Sequence, residues 1–396
     1  MFSVFKDKNN NFIYFLSLFI LNLFFLKVFF YTVGDLTSVN AGEFRNPVFP
    51  EIIFNKGLSL WDESVAFGFN NMYGANKPEY GIGQPIWIFN NLLDLIFKNI
   101  LGIFLTTQYI SLLVLNLTIF KIVNIYGKNF SKIQKFIFVF SVSIILYFST
   151  MSFGVITSGA KYLLWQSLVL LSLILFKEII NNDKNYKFSL LYLFSSLYFL
   201  SLFFPPFFVV ISFYILLFLT IDTFTNFFKG NYIDKKKLFL ILIALGLSII
   251  LGQALSLIPI LFESENINIL LARHSIPLAH STDQLLNLFN NLGDVITISW
   301  YLLIFIGCFG FFYQFKKFIN KIDLFLFVIF LFLSHGSYSF FSKINIFIHQ
   351  EIPFLNFLGS TYPYTSITAS FLVIFFVLGI IKTINYFKLY SYQKYF

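Results

Sequence analysis

Polar and apolar positions fall in long blocks along this chain, not in the alternation of a half-buried strand. Ten apolar runs recur, at roughly 12–31, 100–120, 136–150, 162–180, 188–204, 207–224, 238–262, 298–315, 322–340 and 362–381. Most approach or exceed the ~18 apolar residues that carry a helix across a bilayer. The pattern predicts an all-α, polytopic integral membrane protein with about ten transmembrane helices, a single domain over 1–396. Lys6 and Lys8 precede the first run in the manner of a signal peptide. That run is too long for a signal core and no small-residue cleavage site follows, so it reads as a retained helix. Pro205-Pro206 forbids one continuous helix through the fifth and sixth runs and predicts a tight hairpin there. The tail after Lys382 is short and polar-aromatic, and no soluble domain is expected beyond it.

Composition excludes an ordinary soluble protein, because 58% of residues are hydrophobic and only 11% are charged. The 60 phenylalanines and the preference for lysine over arginine read as the bias of an AT-rich genome. Cys308 is the single cysteine, so no disulfide forms within the chain. A net charge of +9 raises nucleic acid as a partner. Its distribution points to membrane orientation instead.

With the N-terminus inside, the cytoplasmic segments collect 19 of the 27 basic residues and six acids: Asp7, Glu178, Asp183, Asp222, Asp234 and Asp323. The outer side then holds eight bases and twelve acids. Each inner connector obeys the positive-inside rule, which predicts a plasma-membrane protein with both termini cytoplasmic. The same orientation sends both arginines (Arg45, Arg273) and all four histidines (His274, His280, His335, His349) outside. Trp61, Trp87, Trp165 and Trp300 fall at or beyond outer helix ends, the pattern of an interfacial aromatic belt. Outer segments 32–99, 263–297 and 335–361 are long and chemically mixed, whereas inner connectors are short and lysine-rich. Long loops on one face are where function concentrates.

In the first outer loop, Pro47 to Lys56 and Gln84 to Lys98 are amphipathic and predict short helices resting on the membrane surface. Asp35 stands just past the first run; a carboxylate at that boundary loses part of its hydration and suits a general base. The bland alternative is a polar residue marking the helix end. Glu43 has a similar claim, and Arg45 would neutralise either carboxylate or bind a phosphate. Asp62-Glu63 are neighbours in sequence and point apart. Arg273-His274 suit a donor phosphate, directly or through a divalent cation such as magnesium or manganese held by Asp35 and a histidine. His274 and His280 are too far apart to stack on one helical face, so they are not read as a zinc pair. His349 and Glu351 would face the same cleft. Asn116-Leu117-Thr118 matches a glycosylation sequon but lies inside an apolar run, and no nucleotide-binding loop or internal repeat is present.

The stretch LWDESVAFGFNNMYGANKPEYGIGQPIWIF, about 25 residues beyond a membrane-boundary Asp, resembles the N-terminal part of the arabinofuranosyltransferases of the GT-C superfamily. The shared features are W-D-x-x-x-x-F-G, a tyrosine-glycine step, a proline and an aromatic-rich helix. Near the other end, HGSYSFFSKINIFIHQEIPFLNFLGSTYPYTSITASFLVIFFVLG is similar to a stretch of GT-C and YfhO-like membrane proteins. The resemblance covers roughly 30–100 and 335–380. It implies a GT-C fold and a membrane glycosyltransferase that moves a sugar from a polyprenyl-phosphate donor to an extracytoplasmic glycan, lipid or protein acceptor, with Asp35 as the base. Many relatives carry an arginine before the last span, where this chain has Gly359-Ser360-Thr361-Tyr362; Arg273 or His274 would take its place. Two other classes fit a polytopic chain: a lipid or glycan transporter, and a non-catalytic membrane component of a cell-envelope polysaccharide assembly system. Transporters place charges near mid-membrane, where Lys27 is the clear instance in this sequence.

Overall fold

The computed structural model describes residues 16–24, 61–62, 69–70, 100–127, 129–149, 161–181, 186–203, 205–227, 235–262, 305–306, 321–334, 343–344, 347 and 362–393. They are almost wholly helical. In chain order they form α1 (16–24), β1 (Trp61–Asp62), β2 (Phe69–Asn70), α2 (Ile100–Tyr126), α3 (Lys132–Ser149), α4 (Lys161–Asn181), α5 (Tyr186–Phe203), α6 (Pro205–Phe227), α7 (Lys235–Phe262), α8 (Lys321–Ser334) and α9 (Tyr362–Gln393). Helices α2 to α9 coincide with eight of the expected runs. Four stretches among the described residues are long and apolar enough to cross a membrane: Tyr109–Tyr126, Leu164–Asn181, Phe207–Thr225 and Ser366–Tyr386. α2 and α9 outlast their apolar runs, and α9 continues well past its own to Gln393. A helix does not stop where lipid stops, because its backbone bonds are satisfied internally wherever it lies.

The helix ends follow local chemistry. α5 closes at Phe203 and α6 opens at Pro205, where a missing N–H costs nothing in the first turn. α3 starts on a capping box: the Gln134 N–H donates to Ser131 Oγ at 3.3 Å, and the Ser131 N–H donates to Gln134 Oε1 at 3.0 Å. Hydroxyls inside the apolar helices bond back one turn, as Thr118 does to the Val114 carbonyl and Ser248 to that of Ala244. This lets Ser and Thr occupy lipid-facing or core positions without a partner from another helix.

α4 is the hub. It packs against α2, α5, α6 and α9, and every residue from Ser167 to Lys177 is buried. Its apolar residues point all ways, the pattern of a helix enclosed by others. At its start, Gln166 Nε2 donates to the Ser366 carbonyl at 2.8 Å and to Ser370 Oγ at 3.0 Å, so α4 and α9 run in the same direction. At its far end, Lys121 Nζ of α2 donates to Glu178 Oε2 at 2.8 Å, which makes α2 parallel to α4 as well. At mid-length, Ser172 Oγ of α4 and Ser196 Oγ of α5 lie 2.9 Å apart.

The expected all-helical character holds among the described residues, with one small exception: Trp61–Asp62 and Phe69–Asn70 form a short antiparallel ladder, Trp61 opposite Asn70 and Asp62 opposite Phe69. The W-D step of the sequence pattern is β1 itself, and two bridged pairs are too few to leave a hydrophobic periodicity to read. Trp165 is 5% exposed and packs on Phe207 with ring centroids 5.0 Å apart, so it belongs to the core and not to an interfacial belt. Lys177, Asp222 and Asp323, which the charge distribution assigns to cytoplasmic segments, are all buried.

Candidate functional site

Those three charges come from different helices, and two of them, Lys177 and Asp323, pair at one end of the bundle. Asp323 is the third residue of α8 and is fully buried. In the first turn of a helix a carboxylate is favoured by the positive end of the backbone dipole. Its Oδ1 receives Lys177 Nζ of α4 in an ion pair and the Tyr214 hydroxyl of α6 at 2.6 Å. The ammonium of Lys177 also sits 3.7 Å above the ring of Phe218, on the same side of α6 as Tyr214 one turn earlier. Asp222, a further turn along α6, is buried as well.

Aromatic rings enclose the cluster. Around Tyr214 stand Phe176 of α4, Phe218 of α6, Phe330 of α8 and Phe371 of α9, at centroid separations of 6.3, 6.4, 5.9 and 5.8 Å. The Phe176 and Phe371 contacts are edge-on, the geometry that sets a ring's positive rim against a neighbour's negative face. Phenylalanine abundance, read from the sequence as a genomic bias, here supplies the walls of a charged chamber.

A buried ion pair is weak evidence for stability in itself, since desolvation offsets much of the Coulomb attraction. It is strong evidence for geometry: once Lys177 is inside, only a narrow set of positions for α4, α6 and α8 keeps it satisfied. The chamber therefore fixes how these helices meet. Lys177 lies four residues, or about 6 Å, from the end of α4, on the side that the lysine distribution assigns to the cytoplasm.

The sequence singled out Asp35, Glu43, Arg45, Arg273, His274 and His349 as candidate catalytic or phosphate-binding residues, with Asp35 also a candidate metal ligand. All six lie outside the described residues, as do the two surface helices of the first loop. The residues that the structure does bring together were not selected. One signal was present: Lys177, Asp222 and Asp323 each lie inside or within a turn of an apolar run, where a charge needs a partner. Asn116 of the sequon is 2% exposed, which supports reading it as structural. Comparison of the chain with protein-family models, with curated proteins and with solved structures finds no match.

Proposed function

We propose that this chain is a polytopic membrane glycosyltransferase of GT-C type. It takes a sugar from a polyprenyl-phosphate donor and passes it to a glycan, lipid or protein acceptor on the extracytoplasmic side of the plasma membrane. Asp35 is the general base, with Glu43 beside it; Arg45, Arg273, His274 and His349 hold the donor phosphate, directly or through a divalent cation. The observation that carries this reading is an asymmetry of charge use. In the bundle, charges are consumed by one another: buried Lys177 by Asp323, and partly exposed Lys121 by Glu178. Both arginines, all four histidines and twelve acids are assigned to the opposite side, and the resemblance to GT-C enzymes falls in those same segments. A ten-span topology supplies the rigid support such loops need.

The test is sugar transfer by the full chain in proteoliposomes, from a radiolabelled polyprenyl-phosphate donor to acceptors offered on either face. Asp35→Asn should insert and fold normally and lose transfer by roughly 10²–10⁴-fold, the usual contribution of a general base. Full activity in that variant would remove Asp35 from the mechanism.

The Lys177–Asp323–Tyr214 chamber favours a second reading, transport, because ionisable residues inside membrane helices often mark ion or proton paths. The two readings separate cleanly. Substrate flux in sealed vesicles that survives Asp35→Asn but fails in the doubly apolar variant Lys177→Met/Asp323→Leu belongs to a transporter; the glycosyltransferase reading expects the reverse.

A further inference from the structure

We draw no further inference here: the strongest candidate, the buried Lys177–Asp323–Tyr214 cluster where α4, α6 and α8 meet, belongs to the site already described.

Discussion

The Tyr214 hydroxyl donates to Asp323 Oδ1 across 2.6 Å, joining α6 to α8 over 109 residues of sequence inside a chamber closed to solvent. The same carboxylate oxygen holds Lys177. A graded series of losses is expected from this arrangement. Tyr214→Phe keeps the ring in its cage and removes one hydrogen bond to a charged acceptor, at a cost of about 1.5–3 kcal/mol. Lys177→Met strands Asp323 and should cost about 3–5 kcal/mol, whereas Lys177→Met/Asp323→Leu should return close to wild type. Reversible unfolding in bicelles, read as a double-mutant cycle, distinguishes these values; additive single losses would show that the pair does not act as a unit.

Gly252 of α7 faces Ser201 of α5 so closely that a Cβ there would collide with Ser201 Oγ and stand 2.7 Å from Ser201 Cβ. Small residues permit this approach, and in lipid such packing replaces the hydrophobic drive that holds soluble helices together. Gly252→Ala should destabilise by about 1–3 kcal/mol through overpacking, and Ser201→Gly in the same chain should recover most of the loss. Gly246, with open space where its Cβ would go, is the internal control: Gly246→Ala should be neutral or stabilising by up to ~1 kcal/mol. Thermal denaturation of these variants in one detergent checks the set.

Gln166 reaches across from α4 to two acceptors on α9, the Ser366 carbonyl and Ser370 Oγ. Gln166→Leu removes both bonds while preserving bulk. Interhelical hydrogen bonds in membranes average about 0.6 kcal/mol and reach about 1.7, so a loss of about 1 kcal/mol is expected. Gln166→Glu should be worse than Gln166→Leu, because a carboxylate placed there meets a carbonyl it cannot bond. Chemical unfolding with tryptophan fluorescence as the signal ranks the two.

Cys308 is the chain's single cysteine, so Cys308→Ser provides a background for mapping orientation. In intact cells a membrane-impermeant maleimide should label Ala279→Cys in the 263–297 segment. It should leave Lys128→Cys, between α2 and α3, unlabelled until the cells are opened. The opposite pattern would invert the topology on which the outer-face assignment of Asp35 depends.

Helix positions were legible because long apolar runs declare themselves: α4 spans Lys161–Asn181 where the hydropathy blocks predict 162–180. Ends were less legible where a helix passes beyond its apolar run, as α9 does. Burial was the harder quantity. Lys177 and Glu178 are adjacent, and in sequence both read as inner-connector charges; Lys177 is buried with Asp323, whereas Glu178 stays partly exposed beside Lys121. Their opposite surroundings follow from which neighbour each meets around α4, and pairings between α4, α6 and α8 leave no trace in local pattern. For the outer-face residues, the sequence offers residue types and a resemblance, but no local rule fixes how Asp35 and Arg273, far apart in the chain, stand in space.

The position of Lys177 also bears on how the protein is made. When α4 enters the bilayer, its ion-pair partner, about 150 residues further along the chain, has not been synthesised. At about 5–20 residues per second that interval is roughly 7–30 s. Lying about 6 Å from the helix end, Lys177 can meanwhile turn its ammonium back to the interface along its flexible stem. Only when α8 arrives with Asp323 does the charge have a reason to turn inward, and the wall closes later still, when α9 brings Phe371 against Tyr214.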